Sequence, residues 1–177
     1  MNVVDLDLPG LKLVEPKVFG DARGQFLETW NDERYAAAGI PGPFVQDNLS
    51  RSRRNTVRGL HWQDPNPQGK LVSVVAGAVW DAVVDVRRES PTFGKWYGIE
   101  LSAGNRRQLW VPAGFAHGFA VLSDFADFAY KVTARYSPKD ERVLRWNDPA
   151  IGIDWKIDPA AAILSERDAN ATGLAAL

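Results

Sequence analysis

Residues 70–87 run KLVSVVAGAVWDAVVDVR, two segments rich in β-branched side chains, Lys70 to Val75 and Ala78 to Arg87, on either side of Gly77. They predict a pair of strands joined near that glycine. In the second, Asp81, Val83 and Asp85 share one face while Trp80, Ala82, Val84 and Val86 share the other, because side chains alternate along a strand. Both faces are largely apolar, as in the wall of a barrel or a two-sheet sandwich. The two aspartates are the exception. A buried carboxylate is costly unless paired, so each needs a partner.

The same texture continues outward. Short apolar segments separated by Gly, Pro, Asn and Asp argue for an all-β sandwich or barrel. Strands are expected over Asp21 to Trp30, with Phe26, Glu28 and Trp30 on one face, and over Phe44 to Ser50, with Gln46, Asn48 and Ser50 on one face. Others are expected over Thr56 to Gln63, Tyr97 to Ser102, Arg107 to Val111, Gly118 to Leu122 and Phe125 to Tyr136. Asn31 to Gly39 is the best helix candidate, with an Asn cap, acidic residues in its first turn and Gly39 at its end. The Ala-rich tail from Asp158 onward reads as partly helical. Neither a repeat nor a linker divides the chain, and 177 residues suit one domain, residues 1–177.

Composition narrows the function classes. The formal net charge is −1, so no overall field favours nucleic acid or anionic lipid, and an anion site must be a local cluster. With no cysteine, disulfides, thiolate metal sites and a thiol nucleophile are ruled out together. The acidic N-terminus is unlike a signal peptide, and no window approaches a membrane span. A soluble cytoplasmic protein, with no nucleic-acid or membrane partner, is the expectation. His61 and His117 are the only histidines, which excludes a mononuclear site built on three.

Chemistry concentrates in a few places. Arg58-Gly-Leu-His61-Trp-Gln63 sets an imidazole near a guanidinium and an amide. In a regular strand Arg58 and His61 would point to opposite faces, so if both serve one pocket a bulge at Gly59 must re-aim one of them. His61 also fits a satisfied core histidine. Metal ligation through a His-x-His pair is disfavoured, since Gln63 stands two residues on and no imidazole or carboxylate cluster is readable. Pro112-Ala-Gly-Phe-Ala-His117-Gly-Phe suits a tight turn entering a strand, with His117 either lining a pocket or bonded to a backbone carbonyl. Tyr130 and Tyr136 are expected on one strand face, usually half-buried packing with a wet hydroxyl. Arg23, Arg58 and Lys70 could form the local anion site.

Taken in order, these segments resemble the dTDP-4-dehydrorhamnose 3,5-epimerase family. The pieces that carry the resemblance are Asp21-Ala-Arg23-Gly-Gln-Phe26-Leu-Glu28, Phe44-Val-Gln46-Asp-Asn48-Leu-Ser50, Arg58-Gly-Leu-His61-Trp-Gln63, Gln68-Gly-Lys70 and Asp85-Val-Arg87. They continue with Ser90-Pro-Thr-Phe-Gly94, Pro112-Ala-Gly-Phe-Ala-His117-Gly-Phe, Tyr130-Lys131, Trp146-Asn-Asp-Pro149 and Leu164-Ser-Glu-Arg-Asp168, nearly the whole chain. Two departures, Trp62 for a common tyrosine and Arg167 for the usual lysine, touch no expected proton carrier.

The resemblance implies a jelly-roll β-barrel of the cupin class with a few short helices, a homodimer, and chemistry without a metal or organic cofactor. It makes His61 the general base, Asp168 its partner and Tyr130 the general acid across the sugar, with Lys70 near the C4 oxygen. Gln46, Asn48 and Arg58 would hold the nucleotide, and His117 and Tyr136 would line the pocket. Arg23 and Phe26 would enter from the partner subunit, with Glu28 beside them. The implied substrate is a dTDP-4-keto-6-deoxy sugar, whose ketone makes the C3 and C5 hydrogens removable as an enolate. A histidine is a natural base near neutrality, and a fixed cation can meet the enolate oxygen. A 3-only or 5-only epimerase stays open, as does a non-catalytic sugar-nucleotide-binding cupin. A 3,4-ketoisomerase would place a second histidine where Trp62-Gln63 stands, and a metal-dependent cupin dioxygenase is the remaining rival.

Overall fold

A computed structural model describes residues Met1–Leu177. Thirteen strands carry the fold: β1 (Asn2–Asp5), β2 (Lys12–Glu15), β3 (Val18–Asp21), β4 (Gly24–Leu27), β5 (Gln46–Arg53), β6 (Val57–Gln63) and β7 (Lys70–Ala76), then β8 (Ala78–Asp85), β9 (Trp96–Ser102), β10 (Gln108–Val111), β11 (Phe115–Val121), β12 (Phe125–Val132) and β13 (Glu141–Val143). Two short helices, α1 (Asp32–Ala37) and α2 (Glu166–Ala169), complete it. One sheet runs β1-β2-β10-β7-β12-β5, the facing sheet runs β13-β6-β11-β8-β9, and β3 and β4 form a separate hairpin. From β5 on, the chain repeatedly crosses between the two sheets: β5, β7, β10 and β12 lie in the first, and β6, β8, β9, β11 and β13 in the second, with only the β8–β9 step staying within one sheet. That alternation is the jelly roll, and it closes a barrel from period-two strands.

The strand pair around Gly77 forms as expected. Gly77 has φ +76°, and an added Cβ would lie 2.1 Å from the Phe125 carbonyl oxygen, so a glycine is required there. In β8 the two faces split as read. Val83 joins Val72, Leu109, Phe115 and Phe128 between the sheets. Ala82 and Val84 face outward, under Trp146, Ile151 and Trp155 of the C-terminal segment. A third cluster, Val14, Tyr35, Ile40, Leu71 and Trp110, pins α1 to the outside of the first sheet. Side chains such as Phe115 and Phe128 each gain about 1.5–3 kcal/mol from burial. They set the distance between the sheets, and hence the width of the space at the barrel mouth.

α1 starts as expected, with the Asn31 side chain accepting from the Arg34 amide. Two other expectations are corrected. Asp21 to Trp30 is not one strand. The chain reverses at Ala22–Arg23, where Asp21 accepts from the Arg23 amide and Gly24 takes φ +136°, an Asx-type turn the local residues favour. Phe26, Glu28 and Trp30 therefore share no face: Phe26 is exposed, Glu28 pairs with Arg34, and Trp30 packs on Tyr35 and Phe44. The last long strand stops at Val132, which takes Tyr136 off the strand that carries Tyr130. The Tyr136 amide donates instead to the Gln46 side chain. The tail is partly helical as expected, in single turns at Pro159–Ala161, Glu166–Ala169 and Leu174–Ala176, and its apolar residues cover the second sheet. No helix is long and apolar enough to cross a membrane.

Candidate active site

Arg58 and His61 both face the space between the sheets, and the reason is the expected irregularity at Gly59. Opposite β11, His61 pairs with His117 but Arg58 pairs with Phe119, so β6 spends one extra residue over the interval. Leu60 drops into the outer core. Gly59 adopts φ +122°, and a Cβ there would come within 2.6 Å of Gly118 Cα. Gly118 is equally constrained, with 2.6 Å to the Arg58 carbonyl oxygen. The two glycines let β6 and β11 touch where the bulge re-aims the imidazole.

A cavity of about 150 Å³ opens between the sheets, lined by His61 and Arg58 from β6, Lys70 from β7, His117 from β11 and Tyr130 from β12. His61 and Tyr130 thus approach one space from opposite sheets. His61 Nε2 lies 2.6 Å from Asp168 Oδ1. Burial pushes the Asp168 carboxyl up. The hydrogen bond and charge of His61 and the donors from Ser165 and Gly59 outweigh that and hold it below its ordinary value. An ionised Asp168 can only accept, so Nε2 carries the proton and Nδ1 is left as the basic nitrogen. Asp168 is itself held by α2, whose cap Ser165 accepts from the Asp168 amide.

Lys70 is buried and donates to the His61 carbonyl oxygen at 3.1 Å. Burial pulls its ammonium down to about 8, with Asp81 and Glu141 opposing. Tyr130 is raised, by burial first and the Glu141 charge second, so its hydroxyl stays protonated. His117 is buried and bonds through Nε2 to both oxygens of Asp81, at 2.9 and 3.0 Å. The partner is thus a carboxylate, not a backbone carbonyl, and the ring still lines the cavity. Asp85, the other strand aspartate, is satisfied elsewhere by Arg87, Ser90 and Thr92.

Asn48 pairs with Tyr130 across β5 and β12, and the Gln46 side chain donates to Asn48. The Arg58 Nε donates to Ser52. A groove of about 440 Å³ runs out past His61, with Arg53, Arg58 and Arg167 along it. Tyr136 reaches the same neighbourhood from its loop, its hydroxyl donating to Glu141 at 2.7 Å. Gln63, a poor ligand by type, holds that loop: it accepts from the Ser137 amide and donates to the Arg135 carbonyl.

Asp168, Gln46, Asn48 and Tyr136 reach this site through their neighbours and do not line the cavity itself, and three further residues lie away from it within one chain. Arg23 folds onto Asp21, Phe26 stands 69% exposed on the β3–β4 hairpin, and Glu28 bonds Arg34. Glu141, by contrast, escaped the sequence reading. It lies 3.9 Å from His61 Nδ1 and accepts from Arg167 as well as Tyr136. Its surroundings, Lys139-Asp-Glu-Arg142, look like a solvated charge run, so nothing local marked it. No group of three or more imidazole and carboxylate side chains converges as a metal site would require.

The chain matches the family described as dTDP-4-dehydrorhamnose 3,5-epimerase over residues 5–176. It is 53% identical to the Pseudomonas aeruginosa dTDP-4-dehydrorhamnose 3,5-epimerase over 169 residues, covering 95% of this chain and 93% of that one. A solved structure of the Legionella pneumophila dTDP-6-deoxy-D-glucose-3,5-epimerase, in complex with dTDP-4-keto-L-rhamnose, superposes with a TM-score of 0.95 at 50% identity, covering 98% and 93% of the two chains. ChmJ, a 3'-monoepimerase from Streptomyces bikiniensis solved with dTDP-quinovose, is more distant, at 36% identity, TM-score 0.90 and 96% and 86% coverage. Similarity of this extent, on a jelly roll whose cavity gathers His61, Lys70 and Tyr130 with Asp168 bonded to His61, places the chain in the dTDP-4-dehydrorhamnose 3,5-epimerase family.

Proposed function

We propose that the chain is a dTDP-4-dehydro-6-deoxyglucose 3,5-epimerase of dTDP-L-rhamnose biosynthesis, working by proton removal and return beside the C4 ketone. The observation that carries this reading is one small cavity entered by His61 from one sheet and Tyr130 from the other. His61 Nδ1 takes the proton from C5 or C3 and becomes an imidazolium, which the Asp168 charge stabilises. The electron pair moves onto the C4 oxygen as an enolate, and Lys70 faces that charge in a dry site. Tyr130 then delivers a proton to the opposite face of the carbon and inverts it, and water restores both groups. Positioned acid–base catalysis of this kind contributes roughly 10²–10⁴-fold.

Arg53, Arg58 and Arg167 suit the diphosphate, since guanidinium forks match phosphate oxygens. Gln46 and Asn48, bonded to each other next to the strand of Tyr130, would be hydrogen-bonding partners for the nucleotide, and Tyr136, Glu141 and His117 would bound the sugar. The chain works as a homodimer. The β3–β4 hairpin pairs only with itself and exposes Phe19 and Phe26, while Leu49 and Val75 are exposed on the first sheet. Such apolar surface favours a second subunit. Arg23 and Phe26 would then complete the partner's site, with Glu28 at the base of the hairpin. On this reading the enzyme acts in the cytoplasm.

The test is incubation with the 4-keto-6-deoxy sugar nucleotide in deuterium oxide, followed by NMR. Label at both C3 and C5 is expected. Label at one carbon alone makes the chain a mono-epimerase, and no label at either defeats the reading.

A further inference from the structure

We propose that Asp81 is a positioning residue for this reaction, holding His117 and the Lys70 ammonium as one charged unit on the cavity wall where the enolate oxygen develops. The proposal rests on Lys70 meeting that oxygen. Asp81 sits on β8, between β11 and β9, opposite Phe119 and Ile99. No part of it reaches solvent, and the hydrogen bonds to its carboxylate both come from His117 Nε2.

Asp85, four residues along the same strand, shows what a carboxylate placed for structure looks like. It meets the Arg87 guanidinium, the Ser90 and Thr92 hydroxyls and the Arg87 amide, and its acidity is strengthened by them. Asp81 has no such complement. Burial raises it in spite of His117 and Lys70. A core carboxylate left with one imidazole is a liability for stability alone. It becomes intelligible if the charge itself is used, and perturbed buried acids gather at functional sites.

The use is at Lys70. Lys70 shares its cavity with His61 and Arg58 from β6, His117 from β11 and Tyr130 from β12, and the charges that act on its ammonium are those of Asp81 from β8, which bonds His117 behind the cavity wall, and Glu141 from β13. Burial works to strip its proton, and among the two carboxylates that oppose this, Asp81 acts most strongly. Without that negative charge the lysine loses its proton nearer neutrality and meets the enolate as a neutral amine. The Asp81 carboxylate also fixes which His117 nitrogen carries a proton, and so the face the ring presents to the sugar.

Asp81→Asn is the test, because the amide oxygen can still accept from His117 while the charge is gone. Turnover is expected to fall 10- to 100-fold with dTDP affinity by calorimetry changed less than twofold. The alkaline limb of kcat/KM should move at least one pH unit toward acid. A slower enzyme whose alkaline limb stays in place, or one that loses dTDP affinity in proportion, overturns the assignment and leaves Asp81 structural. If the variant does not fold, ¹³C NMR of the lysine side chains in the wild-type enzyme, with Lys70 assigned by Lys70→Arg, carries the question. A Lys70 midpoint near pH 8 supports the coupled, dehydrated cluster, and a midpoint above pH 10 overturns it. Wild-type protein that places no deuterium in the sugar would defeat the functional reading. Wild-type label together with an unmoved limb in Asp81→Asn defeats only the role of Asp81.

Discussion

Replacing Asp168 by Asn should cost the enzyme about 10²–10³-fold in kcat/KM while leaving the fold and nucleotide affinity in place. The carboxylate lies 2.6 Å from His61 Nε2 and is 4% exposed, so it is little screened by water. When His61 takes the substrate proton, the ring becomes a cation with its charge centre roughly 4 Å from the carboxylate. At an effective dielectric of about 20 that attraction is about 4 kcal/mol. Each 1.4 kcal/mol is about tenfold in rate, and the proton is only partly transferred at the barrier, so about two to three powers of ten follow. The backbone should tolerate the change. The Asp168 amide is held by Ser165 irrespective of the side chain, and the turn of α2 has no other need of a charge at that point. Rates of deuterium incorporation at C3 and C5 by NMR, with dTDP binding by calorimetry, separate the effects. A loss under tenfold, or a fall in dTDP affinity that matches the fall in rate, would refute the paired-base argument.

Other expectations follow from the same geometry. Lys70 must be charged to meet an enolate and titrates at about 8, so kcat/KM should decline as pH rises through that value; a plateau continuing beyond pH 9.5 would dissociate Lys70 from the limb. Tyr130→Phe should impair return of the proton unequally at the two carbons, and equal, unchanged label at both would remove the phenol as donor. Gly59→Ala forces a Cβ to within 2.6 Å of Gly118 Cα at φ +122°; thermal denaturation should show a loss of about 2 kcal/mol or more, and a neutral result would mean that the bulge is not needed. Mixing Arg23→Ala with His61→Asn subunits, each poorly active alone, should restore activity if Arg23 acts on the partner's site. No recovery on exchange would confine each site to one chain.

Much of the barrel was legible in local residues. Period-two alternation in 70–87, with Gly77 between, predicts two strands and their buried faces, and the structure has both. The need for a bulge at Gly59 was also readable, because Arg58 and His61 differ by an odd number and can share a side only if the register slips. What failed was of another kind. The hairpin at Ala22–Arg23 reads as continuous strand because alternation persists through it, and only the Asp21–Arg23 turn bond reveals the reversal. Tyr136 alternates correctly with Tyr130, yet β12 stops at Val132, and a contact with Gln46, 90 positions away, decides where the tyrosine goes.

By itself, the sequence determined most of the barrel strands from β5 to β12, though not the short β1, β2, β3 and β13, together with the absence of thiol chemistry, the restriction to two imidazoles, and a run of motifs dense enough to indicate the family. Those follow from residue type and short spacing, which act over a few bonds. Tertiary structure brought Asp168 to His61 across 107 positions, as the resemblance implied, and it alone decided that Glu141 turns inward out of a charged run and that Asp81 rests on His117 while Asp85 rests on Arg87. Pairings of that kind depend on which strands become neighbours when two sheets close. Closure is set by the summed burial of the whole core, a quantity that no short window of residues contains.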